Sequence, residues 1–216
     1  MAKRIIGVII GLTVLGIGSA FCQASALGHN SLNALIFSFV YLFDKPFITY
    51  FICYLGLSLI FFIPMLILDR KAIGIGAALS FFITGLACDG VLWLFGKFGL
   101  FNLHIALRIL LAIIGILLIT FGISMYGEAS LGISPLDETP RLLIKAFPKL
   151  KYIFARIIFD VFCTLVAFII GFVILKRTDI VSIVTIVSFI VFGPLIGLFS
   201  KLVNKIYYHN ETAVFK

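Results

Sequence analysis

The sequence predicts an all-α integral membrane protein with six transmembrane helices. Of its 216 residues, 62% are hydrophobic and only 12% are charged, whereas a soluble domain is roughly half apolar and about a quarter charged. Long apolar runs such as residues 105–123 lack the alternation of a β-barrel strand. Since a helix needs about 20 apolar residues to cross a bilayer, six helices fit the chain. This composition excludes soluble enzymes, nucleic-acid-binding modules and disordered chains.

The apolar runs place the six helices in order along the chain. We expect them near residues 5–24, 47–68, 72–96, 104–126, 152–175 and 179–207. Polar or helix-breaking segments separate them, at residues 44–46, 69–71, 97–102, 128–151 and 176–179. Six spans place both termini on the same face of the membrane.

Basic residues predict which face this is. The face with both termini carries twelve of the 17 Lys and Arg residues, and the opposite face carries the remaining five. Because basic loops are retained on the cytoplasmic side, we expect both termini in the cytoplasm.

The strongest sign of internal organisation is a repeat at an offset of 104 residues, which aligns residues 4–11 with residues 108–115. The same offset pairs Gly18 with Gly122. Each half contains three spans, and an odd number inverts the second copy relative to the first. The sequence therefore predicts one membrane domain built from two inverted three-helix repeats. The repeats are residues 1–102 and 103–216.

Each repeat has a Gly-rich break after its first span, at residues 27–33 and 131–137, followed by an amphipathic stretch. Asn30 and Ser134 are of the type that caps a helix N-terminus. Two breaks that enter the membrane from opposite faces would bring helix N-termini to a central cavity, where unpaired N–H groups bind polar solutes. The alternative is a pair of capped helices lying on the bilayer surface, and the sequence leaves both open.

A family resemblance rests on the second half. Residues 131–137, Leu-Gly-Ile-Ser-Pro-Leu-Asp, resemble the signature of the YczE/YyaS/YitT family of bacterial membrane proteins, and residues 155–160 and 193–199 are similar to two further segments of it. The first half departs from the pattern, with His-Asn-Ser at residues 29–31. The resemblance implies a multi-pass protein of a bacterial plasma membrane and supplies no substrate.

Charged residues within a membrane are costly, so each one is a candidate functional residue. Asp89 lies in the third span, either as a carboxylate that couples transport to a proton or cation or as a packing hydrogen-bond partner. Arg156 and Asp160 share one face of the fifth span, either as a structural salt bridge or as substrate contacts. The predicted substrate site is completed by residues from the two breaks: Asn30, Asn33, Ser134 and Asp137.

These features favour a carrier for a small solute, which would work by rocking one repeat against the other. Two alternatives stay open: the substrate-capturing subunit of a vitamin-type importer, and a non-transporting scaffold or assembly factor. No hydrolase, phosphate-loop, zinc-protease or CxxC motif occurs, so we expect no enzymatic activity, cofactor or metal. The expected partners are membrane lipid and the solute, with no nucleic acid, and a homodimer is a candidate assembly.

Overall fold

The computed structural model describes residues 1–99, 103–177 and 180–208, and within these ranges the chain forms eight α-helices. They are α1 (Ala2–Ser25), α2 (Ser31–Phe43), α3 (Tyr50–Leu68), α4 (Ile75–Lys97), α5 (Ile105–Gly127), α6 (Pro135–Ala146), α7 (Tyr152–Phe168) and α8 (Ile183–Ile206). A 3-10 turn at Arg70–Ala72 joins α3 to α4, and α7 continues as a π-helix over Ile169–Ile174.

Six helices in the described ranges are long and apolar enough to cross a membrane, namely α1, α3, α4, α5, α7 with its π-helical extension, and α8. They coincide with the six predicted spans to within a few residues. This confirms the all-helical fold class and the six apolar helices. The predicted repeat boundary at residue 102 and the chain from residue 209 onward lie outside the described residues.

The centre of the bundle is the antiparallel pair α1 and α5. Arg108, near the start of α5, donates hydrogen bonds to the carbonyl oxygens of Ser25 and Ala26 at the end of α1, at 2.6 and 2.8 Å. Glycines allow the two backbones to approach closely. A Cβ atom built at Gly18 would lie 2.8 Å from the carbonyl oxygen of Gly115. α4 packs against the outer side of α1, and α8 packs against α5.

The short helices α2 and α6 are inserted into the bundle. α2 packs against α7, and α6 packs against α3. Every residue of α2 from Ser31 to Ser38 is buried, as are Pro135, Leu136 and Glu138 in the first turn of α6. Both helices begin earlier than the predicted amphipathic stretches, because each break is completed within a few residues of its glycine. This burial supports the interpretation of inserted helices over helices on the bilayer surface.

The two breaks have the same backbone geometry and similar contacts. Gly28 and Gly132 have φ angles of +100° and +101°, a conformation that glycine adopts without strain. A Cβ atom at Gly132 would lie 2.7 Å from the backbone nitrogen of Gly74. Beside each glycine, a carbonyl oxygen accepts a hydrogen bond from the first turn of another helix. These bonds run from Val184 N–H to Leu27 and from Gly76 N–H to Leu131, at 3.3 and 2.8 Å.

The beginning of α1 and the end of α8 lie together at one end of the bundle. The Tyr207 hydroxyl donates to the carbonyl oxygen of Lys3 at 3.0 Å, and the Tyr208 hydroxyl donates to that of Met125 at 3.0 Å. An even number of membrane-crossing helices produces this arrangement.

Candidate functional site

A small polar cavity lies among α1, α2, α3, α5, α6 and α7, next to the first turn of α2. The cavity has a volume of about 10 Å³, which is room for about one water molecule. Leucine and isoleucine side chains of α1, α2 and α5 form part of the wall. Seven polar side chains form the rest: Ser19, Asn30, Asn33, Tyr50, Tyr54, Asp137 and Arg156.

An ion pair forms the α7 side of the site. Arg156 Nε donates to Asp160 Oδ2 at 3.0 Å, with both side chains largely buried. The other oxygen of Asp160 accepts a hydrogen bond from the hydroxyl of Ser31, in the first turn of α2. The spacing of four residues places the pair on one face, as predicted. Asp160 thereby connects α7 to the N-terminus of α2.

Asn33 is held at both ends of its side-chain amide. Its Nδ2 donates to Ser19 Oγ of α1, and its Oδ1 accepts from the Tyr50 hydroxyl of α3, each at 2.9 Å. A buried amide with satisfied hydrogen bonds fixes its neighbours in one arrangement. Asn33 therefore holds three helices together at the wall of the cavity.

Asn30 differs because its side chain has an open acceptor. It stands at the N-cap of α2, where its carbonyl oxygen accepts from Ala34 N–H at 2.8 Å, but its side chain makes no capping bond. The residue is 5% exposed, and Oδ1 has no hydrogen-bond partner within the described part of the chain. A buried acceptor without a partner costs about 1–3 kcal/mol. Asn30 is thus a group in the cavity that a ligand or water would satisfy.

α6 contributes Asp137 and Ser134 to the site. The hydroxyl of Tyr126 on α5 donates to Asp137 Oδ2. Burial raises the pKa of the Asp137 carboxyl, while the bond from Tyr126 and the charge of Arg156 act in the opposite direction. Ser134 is the N-cap of α6, and its Oγ lies 3.1 Å from the hydroxyl of Tyr54, a cavity residue.

Asp89 is outside the cavity wall. Its two carboxylate oxygens accept hydrogen bonds from the backbone N–H groups of Tyr50 and Phe51, at 3.1 and 2.9 Å. Asp89 on α4 therefore caps the N-terminus of α3, a position where a negative charge is favourable. The role of coupling carboxylate stays a prediction for this residue.

A comparison with protein-family models matches residues 2–201 to a family of unknown function, DUF6198. The chain belongs to this family. The match covers every residue of the cavity and all eight helices of this DUF6198 protein except the end of α8. No curated protein and no solved structure matches the chain.

The structure brings six of the seven predicted residues of the DUF6198 chain to one place. Four of them line the cavity, and the side chains of Asp160 and Ser134 each bond to a side chain that does. The seventh, Asp89, bonds to the backbone N–H groups at the start of α3. Among residues 1–99, 103–177 and 180–208, no cluster of His, Cys, Asp and Glu is arranged to hold a metal ion.

Four polar residues of the site carry no expectation from the sequence: Ser19, Tyr50, Tyr54 and Tyr126. The four-residue spacing of Tyr50 and Tyr54 places both on one face of α3. This spacing is the sequence feature that could have indicated these two residues. Tyrosine and serine are ordinary in membrane helices, so their presence alone does not indicate a site in this DUF6198 protein.

Proposed function

We propose that this DUF6198 protein is a carrier for a small polar solute and that its binding site is the cavity beside the first turn of α2. The observation that carries the proposal is the presence of seven polar side chains, including Arg156 and Asp137, inside a bundle of six apolar helices. Buried charged and polar groups are expensive in a membrane and mark the paths of substrates and ions. A scaffold has no need of such a cavity.

We infer further that two inverted repeats form the carrier, with α1–α4 corresponding to α5–α8. The packing pattern supports this. The contact of α1 with α4 has a counterpart in that of α5 with α8, and the contact of α2 with α7 has one in that of α6 with α3. The two glycine breaks share a φ angle and the same type of backbone bond. The resemblance to the YczE/YyaS/YitT family agrees with a multi-pass protein.

The small volume of the cavity indicates a closed conformation in the proposed transport cycle. A site with room for about one water molecule must widen before a solute enters. Widening would separate α2 from α7 or α6 from α3, which are joined beside the cavity by the Ser31–Asp160 and Tyr54–Ser134 bonds. Rocking one repeat against the other would open these two contacts in turn.

Cysteine accessibility tests the carrier proposal. The natural cysteines, Cys22, Cys53, Cys88 and Cys163, are buried and would be replaced first. Asn30→Cys then places a thiol in the cavity at a residue whose side chain makes no capping bond. The matched control is Phe162→Cys, because Phe162 lies two residues from Asp160 on α7 and is 53% exposed on the outer surface of the bundle. The probe is a membrane-impermeant methanethiosulfonate, added to right-side-out and to inside-out vesicles.

Each labelling pattern favours one function. We expect Asn30→Cys to react from both sides of the membrane, since a carrier opens its site to each side in turn, and Phe162→Cys to react from neither. Reaction of Asn30→Cys from the outside alone would favour the substrate-capturing subunit of an importer. Absence of reaction from either side would mean a dry core, and the carrier would give way to the scaffold.

A further inference from the structure

We propose that Asp137 is a proton-binding group, which is protonated while the cavity is closed and loses its proton when the cavity opens to water. The coupling of this proton to transport rests on the proposed function. The protonation itself is a property of the isolated protein and is tested without any solute.

The charges around the cavity favour a proton at this position. Two carboxylates, Asp137 in the cavity wall and Asp160 beside it, lie near the guanidinium of Arg156. Arg156 is hydrogen-bonded to Asp160, which also accepts a bond from Ser31. One negative charge is therefore in excess at the cavity. A proton on Asp137 removes this charge, which is unfavourable in surroundings of low dielectric constant.

The groups that face Asp137 from other helices do not change this balance. Tyr126 of α5 and Tyr50 and Tyr54 of α3 are neutral hydroxyls. On α6 itself, Glu138 and Arg141 pair with each other at 3.1 Å and together add no net charge, while the charge of Arg141 taken alone lowers the pKa of Asp137. Within the described part of the chain, the titratable or charged neighbours include Tyr50, Tyr54, Tyr126, Glu138, Arg141, Arg156 and Asp160.

The size of the cavity excludes large cations and sets no limit on a proton. Space for about one water molecule does not admit a hydrated metal ion or an organic ammonium group. Protonation also turns the Asp137 carboxyl into a hydrogen-bond donor. The open acceptor Asn30 Oδ1 belongs to the same cavity, so the closed site contains an acceptor for a new donor or for a water molecule beside it.

Asp89, the other candidate for proton coupling, is engaged differently. Its two carboxylate oxygens both accept backbone N–H bonds at the start of α3, and the residue is not part of the cavity wall. The carboxylate of Asp137 receives a hydroxyl bond from Tyr126, which can persist after protonation because the carbonyl oxygen still accepts. The observations therefore favour Asp137 over Asp89.

Infrared difference spectroscopy during a pH titration tests the proposal. The full chain would be measured in nanodiscs of phosphatidylethanolamine and phosphatidylglycerol, with the carbonyl stretch of a protonated carboxyl group as the signal. We expect a titrating band in the wild-type protein that is lost in Asp137→Asn and kept in Asp89→Asn. A band that survives Asp137→Asn, or one that disappears in Asp89→Asn, overturns the proposal.

A second variant keeps the proposal testable if Asp137→Asn does not fold. Tyr126→Phe removes the hydroxyl that stabilises the Asp137 carboxylate, so the titration midpoint should move to higher pH by about one unit. The matched control is Tyr207→Phe, because the Tyr207 hydroxyl bonds to the carbonyl oxygen of Lys3 at the end of the bundle. An unchanged midpoint in Tyr126→Phe also overturns the proposal. Since no solute is present, failure of the carrier proposal would leave this result intact.

Discussion

At the scale of single residues, Asp89 and Asp137 show how the same side chain takes different roles inside one bundle. Asp89 accepts two backbone N–H groups from the first turn of α3, which stabilises both the charge and the helix end. Asp137 receives a tyrosine hydroxyl bond and faces a polar cavity. Backbone N–H groups of α3 hold the carboxylate of Asp89 in place, whereas the carboxylate of Asp137 can contact a solute or water molecule in the cavity.

The capping contact predicts a graded effect of substitutions at Asp89. Asp89→Ala should reduce the free energy of unfolding by about 1 kcal/mol, because the N–H groups of Tyr50 and Phe51 lose their acceptor. Asp89→Asn should cost less, since an amide oxygen still accepts one bond. Thermal unfolding of the purified protein in detergent measures both. Equal destabilisation by the two variants would argue against a capping role.

The ion pair of α7 predicts an asymmetric double-mutant cycle. Arg156→Gln should destabilise the protein by about 3 kcal/mol, because it leaves the largely buried Asp160 without its cation. Adding Asp160→Asn should restore part of this loss, since the uncompensated charge is then removed. The same unfolding measurement applies. A double variant that is less stable than Arg156→Gln alone would contradict this account.

Much of the site could be predicted from residue type, but its hydroxyl donors could not. Arg156 stands out because charges are rare in apolar runs, and Asn30, Asn33 and Asp137 stand out because they lie in the two glycine breaks. Tyr126 stands out only through its contact with Asp137, which depends on how α5 faces α6. A single sequence specifies the face of each helix and leaves the pairing of faces to tertiary packing.

At the scale of the helices, the glycines of α1 and α5 determine how closely the central pair packs. The first turns of α2 and α6 are buried beside this pair. The C-terminal ends of these two helices make separate contacts. Lys145 of α6 forms an ion pair with Asp69 after α3, and the Arg177 guanidinium lies 3.8 Å from the ring centre of Tyr41 in α2. The sequence predicts both short helices but not their insertion, because an amphipathic face suits either a bilayer surface or a bundle.

The close contact of α1 and α5 predicts opposite effects of alanine at two glycines. Gly18→Ala should destabilise the protein by about 1–3 kcal/mol, since the new Cβ would meet the carbonyl oxygen of Gly115 at 2.8 Å. Gly90→Ala on α4 is the control, because nothing lies within 4 Å of its Cβ position, and alanine favours the helix by up to about 1 kcal/mol. Unfolding midpoints that fall equally in both variants would contradict the close packing.

At the scale of the whole molecule, the six apolar helices form one bundle whose halves are interleaved. α2 of the first half packs on α7 of the second, and α6 of the second half packs on α3 of the first. The number and limits of the apolar helices could be predicted from sequence, because about 20 apolar residues define each one. The interleaving could not, because it depends on contacts between segments about 100 residues apart.

The distribution of basic residues predicts the orientation of the bundle, and reporter fusions measure it. Green fluorescent protein fused after the last residue should fluoresce, because we expect both termini in the cytoplasm. Alkaline phosphatase fused after Gly99, which follows α4, should be active on the opposite face. Alkaline phosphatase fused after Arg70, which follows α3, is the control and should be inactive. Activity in the reverse pattern would mean an inverted protein.

The pairing of α1 with α5 has a consequence for biogenesis. During synthesis α1 leaves the ribosome first, but its face with Gly11 and Gly18 has no protein partner until the fourth apolar helix, α5, has been inserted. The polar first turn of α2 lacks its hydrogen-bond partner for still longer, until Asp160 of α7 has been inserted. Until then, lipid or an insertion chaperone must cover both surfaces. Nascent chains that terminate before α7 therefore expose unpaired polar groups in the bilayer, and we expect membrane quality-control proteases to remove them.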